Sequence, residues 1–277
     1  MIIPIILDTC TIINLLRIDE EDKFLYNMLI KLDINICPKV YQETYKTINQ
    51  KTFTESQKEY IDSLVPTFGT YIKNIDESFK EEYSDRIKSF CSYHKDNGEF
   101  YSTLLSLYLC RENGCRVCFY TDDYPAKETF YKYFTFQQIG TIGDTVDLLL
   151  LLYWSNTDFK LVKLKKYLSD LYSEFATPIK VLFDKICENK GQWINDMPRD
   201  RKLYDNLYNL EIALKDVDLS LINKTIAFFS ENKSKYKEIC KLLDAYPTLI
   251  SDAGVAKKLQ EIINYTRLHT IYKKEQC

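Results

Sequence analysis

Five carboxylates in this chain stand where they could meet: Asp8, Glu43, Glu99 and the adjacent pair Asp122-Asp123. Asp8 ends the apolar run Ile2-Ile3-Pro4-Ile5-Ile6-Leu7, and the aspartate pair follows the apolar stretch Cys115 to Tyr120. Glu43 and Glu99 each come soon after a helix-starting residue, Pro38 and Gly98. Carboxylates gathered in one pocket repel one another unless protons or a cation neutralise them. Oxygen-only ligation selects Mg²⁺ or Mn²⁺ over zinc. A cation held this way can polarise a scissile phosphate and lower the pKa of a bound water, so that hydroxide attacks phosphorus in line. Such a site needs no Ser, His or Cys nucleophile. The chain has only two histidines, His94 and His269, with no visible reason to converge. A histidine acid/base pair is therefore not expected.

Asp8, Glu99, Asp122 and Asp123 are the expected metal ligands, and Glu43 completes the catalytic set, with Glu55, Glu59 or Asp62 as alternatives for its place. Of the aspartate pair, one is expected to bind directly and the other through water or by orienting a ligand. Each signal has a plainer reading. Asp8 could cap a helix, and Glu99 could complement a helix dipole. Thr9 and Thr121 could orient the acids or satisfy nearby backbone. Cys115 and Cys118 have a zinc-like spacing, but three residues along a strand point the thiols to opposite faces.

The acids need a scaffold that brings strand ends together. Ile2 to Leu7, Ile34 to Cys37, Cys115 to Tyr120 and Phe134 to Ile139 read as strands. Between them, Thr11 to Arg17, Lys23 to Leu32, the segment from Pro38, Glu99 to Arg111 and Tyr124 to Tyr133 read as helices. Residues 50 to 95 read as two inserted helices separated near Pro66 and Gly69. Gly114 is expected to close the helix from Glu99, and Asp144 or Thr145 to cap one running to Trp154. Alternating strands and helices imply a parallel sheet with ligands bound beyond its carboxyl ends.

In this order the residues resemble the PIN-domain nuclease family over roughly residues 3–154. Ile6-Leu7-Asp8-Thr9-Cys10 looks like the family's opening strand and first acid, and Pro38 through Glu43 like the segment supplying the second. Gly98-Glu99 before Leu104-Leu105 is similar to the helix start supplying the third. Tyr120-Thr121-Asp122-Asp123 resembles the third strand's end, and Ile139-Gly140-Thr141-Ile142-Gly143 the closing signature. The resemblance implies a three-layer α/β/α fold and a metal-dependent, usually RNA-directed endonuclease. Many members are bacterial toxins held by an antitoxin, so a regulatory protein partner is a further expectation, and a homo-oligomer is compatible with it. The competing readings are a PIN scaffold kept as a protein- or nucleic-acid-binding module, and a structure-selective DNA nuclease. The 50–95 insertion and the second half depart from the compact family pattern.

Beyond Asn156 no strand is expected. Leu161 to Phe175, Ile179 to Glu188, Arg201 to Leu214, Leu219 to Phe229, Ser234 to Leu243 and Val255 to Lys273 suit amphipathic helices. Their breaks fall at Thr177-Pro178, Asn189-Lys190-Gly191, Met197-Pro198, Tyr246-Pro247 and Ala253-Gly254. The expected organisation is a nuclease domain over 1–154 and a helical domain over 155–277. The net charge of -3 divides unevenly between them, about -7 before Trp154 and about +4 after it. An acidic half suits a cation, and a mildly basic half could face phosphate. Lys160 to Lys166 and Arg199-Asp200-Arg201-Lys202 are the candidate phosphate contacts. Nine irregularly spaced cysteines fit a reducing compartment better than a disulfide scaffold. The short apolar start lacks a basic flank, and Leu148 to Trp154 is too short to span a bilayer. A cytoplasmic protein without membrane contact is expected.

Overall fold

The computed structural model describes residues 3–19, 22–50, 55–245, 258–259 and 261–264. The protein is mostly helical around a small parallel sheet. Tertiary contacts divide the chain into two compact units, the first running to Leu168 and the second beginning at Ser169; the sequence expectation placed the change after Trp154.

In the first unit, β1 (Ile5–Leu7), β2 (Ile34–Asn35), β3 (Val117–Tyr120) and β4 (Gly140–Gly143) form a four-stranded sheet in the order β2-β1-β3-β4. Every pairing is parallel. All three β1 residues are buried, as a strand covered on both faces requires. The chain leaves β1 toward β2 on one side, while β3 lies on the other. Such a reversal opens a crevice at the carboxyl ends of the central strands. Asp8 lies at one lip of it and Asp122-Asp123 at the other.

The helices of this unit are α1 (Thr9–Ile18), α2 (Phe24–Leu29), α3 (Pro38–Gln50), α4 (Glu55–Phe68), α5 (Glu77–Cys91), α6 (Gly98–Asn113), α7 (Tyr124–Gln137) and α8 (Thr145–Ser155). α6 packs against β1 and β3 and is buried almost all round, with Ser102, Thr103 and Ser106 beside Leu104, Leu105 and Leu107. Gly114 ends it in a left-handed conformation (φ 61°), where glycine carries no Cβ penalty. Asp144 caps α8 through a reciprocal box with Asp147.

The structure corrects three local expectations. Phe134 to Gln137 is the end of α7, and the strand is Gly140–Gly143. Phe130, Tyr133 and Phe134 are buried at helical spacing while Phe136 is exposed, so a 3.6-residue period underlies what looks like alternation. The strand needs Gly140, because a Cβ there would stand 1.8 Å from the Val117 carbonyl oxygen. The inserted helices part over residues 69–76, through a 3-10 turn at Gly69–Tyr71, and Pro66 lies inside α4. Finally, the breaks foreseen at Thr177-Pro178 and Asn189-Lys190-Gly191 are absent: α9 (Leu161–Asp196) is one helix. Its Leu171, Ile179, Leu182, Ile186 and Trp193 are all buried, and at roughly 1.5–3 kcal/mol for each large apolar side chain that burial outweighs the local costs of about 3 kcal/mol for a mid-helix proline and about 1 kcal/mol for a glycine.

The first turns of α9 belong to the first unit. Phe159 and Tyr167 are fully buried and form an aromatic group with Phe24 and Tyr153, at centroid separations of 5.3 to 6.3 Å. Lys163 lies 3.7 Å above the Phe24 ring and pairs with Asp22 at 2.9 Å.

The second unit packs the rest of α9 with α10 (Arg201–Asp216), α11 (Leu219–Glu231) and α12 (Lys237–Asp244) around Leu182, Leu207, Leu210, Phe229 and Ile239. Asp200 caps α10 and is held by Lys235 and Tyr236. Of the helix expected over Val255 to Lys273, residues 258–259 and 261–264 carry helical residues, and the remainder lies outside the described residues, as do the breaks at Tyr246-Pro247 and Ala253-Gly254. Among the described residues no helix is long and apolar enough to cross a membrane.

Candidate functional site

Asp8 is the centre of the acidic crevice. It stands at the N-terminus of α1, yet its side chain makes no capping bond there. Instead Oδ2 accepts from the Thr121 hydroxyl at 2.9 Å and from the Cys10 thiol at 3.1 Å. The plain capping role therefore does not explain this aspartate. Its other oxygen, Oδ1, is buried with no hydrogen-bond partner. Burial raises the carboxyl to about 6, against the pull of Cys10, the Thr9 amide and Thr121; Glu43 adds to the rise.

Glu99 lies in the first turn of α6, where Asn97 does the capping by accepting from the Phe100 amide. Glu99 Oε2 is likewise buried without a partner. Burial, then the charge of Asp8, push its carboxyl up to about 7, with further contributions from Asp123 and Glu43. The charges that act on Glu99 come from Asp8, Asp123 and Glu43, which places these four acids in one electrostatic neighbourhood.

Glu43 comes from the second turn of α3, and its Oε2 accepts from the Gly98 amide at 3.2 Å. Burial raises its carboxyl, opposed by Lys39, by that amide and by Lys46. Glu59 and Asp62, two of the alternatives for its place, are exposed on α4, and the Glu55 side chain lies outside the described set.

The aspartate pair divides its work. Asp123 caps α7 by accepting from the Ala126 amide at 2.9 Å, and its own amide donates to Thr121 Oγ1 at 3.1 Å. Asp122 accepts from Asn14 Nδ2 at 2.8 Å, from the Thr145 amide at 3.2 Å and from the Thr145 hydroxyl. Thr121 thus joins Asp8 to the chain at Asp123. The Thr9 hydroxyl does not orient an acid; it donates to the Val40 carbonyl.

Sequence reasoning missed Cys10, Asn14 and Thr145. Cys10 is a hub: its thiol bonds Asp8, lies 3.4 Å from the Thr121 hydroxyl, and accepts from the Asp122 amide at 3.0 Å. Burial and the charges of Asp8 and Asp122 hold that thiol well above its ordinary pKa, so it stays protonated and able to donate. Asn14 lies four residues after Cys10, hence on the same side of α1, and that spacing was the available signal. From the sequence Thr145 reads only as a helix cap, a task that Asp144 performs.

Asp144 and Asp147, acids outside the expected set, share one ion-pair partner, Lys127, at 3.2 and 3.8 Å. His94 is exposed, and His269 lies outside the described residues. Comparison of the chain with protein-family models, with curated proteins and with solved structures finds no match in any of the three.

Proposed function

We propose that this protein is a metal-dependent endoribonuclease of the PIN type, hydrolysing phosphodiester bonds at the crevice beyond β1 and β3. The single observation that carries the reading is the pair of buried, unpartnered carboxylate oxygens, Asp8 Oδ1 and Glu99 Oε2. The charge of Asp8 makes Glu99 harder to ionise, and that of Glu43 does the same to Asp8. Buried polar atoms are normally satisfied, and a hard divalent cation satisfies anionic oxygen where no protein donor reaches. On this reading Asp8, Glu99 and Asp123 are the residues that would hold Mg²⁺ or Mn²⁺, the cations that oxygen donors select. When bound, the cation polarises the scissile phosphate and makes water a competent nucleophile. Thr121 and Cys10 fix the Asp8 carboxylate, and the Gly98 amide fixes Glu43. Asn14 and Thr145 occupy both oxygens of Asp122, which suits it to positioning water rather than to direct ligation.

The test is incubation of the full chain with labelled single-stranded RNA and DNA, in Mn²⁺, in Mg²⁺ and in EDTA. Cleavage of RNA that needs the cation and leaves a 5′-phosphate supports the reading. A 2′,3′-cyclic phosphate end, or activity persisting in EDTA, overturns it. Preferential cleavage of DNA would retain the chemistry and change the substrate.

A further inference from the structure

Beside the acidic crevice lies a second concavity, a cavity of about 370 Å³ whose lining includes Cys37, Pro38, Lys39, Gln42, Asn74 and Tyr101. The volume falls within the range of small-ligand sites. The cavity shares two elements with the acids. On α3, Lys39 and Glu43 are four residues apart and so neighbours on one helix face, and the Lys39 charge acts on the Glu43 carboxyl. On α6 and its approach, Asp96 and Tyr101 lie within three residues of Glu99 along the chain. The Cys37 thiol, at the cavity wall, reaches the Gly98 carbonyl whose own amide holds Glu43.

The lining has the chemistry of a site for a nucleotide. Tyr101, Pro38 and Ile75 supply flat or apolar surface for a base, and aromatic side chains are the usual platform for unpaired bases. Gln42 and Asn74 carry amides that both donate and accept, as a base edge does. Each acid of the wall has a lysine partner, Glu77 with Lys80 at 3.1 Å and Asp96 with Lys88 at 2.7 Å, which lessens their repulsion of a phosphate strand. Lys39 then places a positive charge on the side facing Glu43.

We infer that this cavity receives one unpaired nucleotide of the RNA strand next to the bond that is cut, with its base against Tyr101 and its phosphate toward Lys39. The inference rests on the nuclease reading above and adds to it a residue set that chooses and orients substrate. Tyr101 and Lys39 are positioning residues here, since neither touches the reacting atoms.

Two measurements on the full chain separate this inference from the nuclease reading. The first is steady-state cleavage, with Mn²⁺, of short labelled single-stranded RNAs, some carrying an abasic site at one position near the cut. Tyr101→Ala should raise KM by about tenfold, the scale of one lost base stack, with kcat within about twofold. An abasic site at the nucleotide that fills the cavity should weaken the wild type equally and Tyr101→Ala hardly at all, the non-additivity expected of contacting partners. Tyr101→Phe should restore wild-type KM, which a merely folding-related loss would not predict. Gln42→Ala, at an exposed position, gives a second reading of the same cavity should Tyr101→Ala fold poorly. The second measurement is fluorescence anisotropy of the same RNAs, which reads binding whether or not cleavage occurs. If wild type cleaves and Tyr101→Ala, Lys39→Ala and Gln42→Ala all cleave and bind as it does, the cavity assignment is wrong and the nuclease reading stands. If wild type binds RNA through these residues but does not cleave with any cation, the nuclease reading falls and the nucleotide site remains.

Discussion

The Gly98 amide donates to Glu43 Oε2 at 3.2 Å, and a Cβ at Gly98 would stand only 2.6 Å from that same oxygen. The same Cβ would lie 3.2 Å from Asp8 Oδ1, the oxygen left without a partner. Glycine here lets the start of α6 approach two acids from other elements without moving them. Gly98→Ala should displace the Glu43 carboxylate and weaken Mn²⁺ binding by about tenfold or more, the scale seen when groups that orient ligands are disturbed. Isothermal titration would read this directly, and unchanged affinity would show that Glu43 does not support the cation.

The raised acids set a pH dependence. Asp8 and Glu99 have carboxyls near 6 and 7, above their ordinary values, chiefly because of burial. The folded chain therefore holds more protons than the unfolded chain between about pH 4 and about pH 7. This stabilisation is complete below the unfolded pKa and is lost as pH rises through the folded one. In EDTA, the Tm of wild type relative to Asp8→Asn should fall as pH rises from about 5 to about 8. Mn²⁺ should restore it, because a cation that binds only the folded state stabilises it by mass action. A relative Tm that climbs over this window would contradict the burial argument.

Asn14 and Thr145 are assigned to holding Asp122. Thr145→Val preserves shape but removes the hydroxyl, and Thr145 is fully buried, so Asp122 loses a donor that water cannot replace. Cleavage should drop by about ten- to a hundredfold while Mn²⁺ affinity changes less, because Asp8 and Glu99 are untouched. Asn14→Ala should act in the same direction. Equal cleavage by wild type and both variants would remove Asp122 from the working site.

Where the first unit ends is also testable. A chain stopped after Trp154 lacks Phe159 and Tyr167 and uncovers Phe24 and Tyr153, whereas one stopped after Leu168 keeps the aromatic group. Losing two buried aromatics from one group costs about 3–5 kcal/mol each by the scale of core truncations. The shorter fragment should therefore aggregate or melt far below the longer one. Comparable thermal melting of the two would place the aromatic group outside the core of this unit.

The local chemistry of this chain was legible from its residues: an apolar run ending at Asp8, a helix opening at Gly98-Glu99, a helix closing at Gly114, and an apolar stretch ending at Asp122-Asp123. Each depends on near neighbours, and the backbone conformations that Pro, Gly and β-branched residues allow are properties of a few residues at a time. Periods and breaks were less legible where burial opposed local preference. The alternating Phe134-Thr135-Phe136 remained helical because Phe130, Tyr133 and Phe134 share one buried face, and α9 passed through Pro178 and Gly191 because its buried side chains recur on both sides of them. What tertiary structure alone decided is how the acids are held. Thr121 reaches Asp8 across 113 positions of sequence, Asn14 reaches Asp122 across 108, and the Gly98 amide reaches Glu43 across 55. Such partners are set by which strand ends the sheet order places side by side. No local pattern of residues encodes that order, because it follows from burying β1 between β2 and β3.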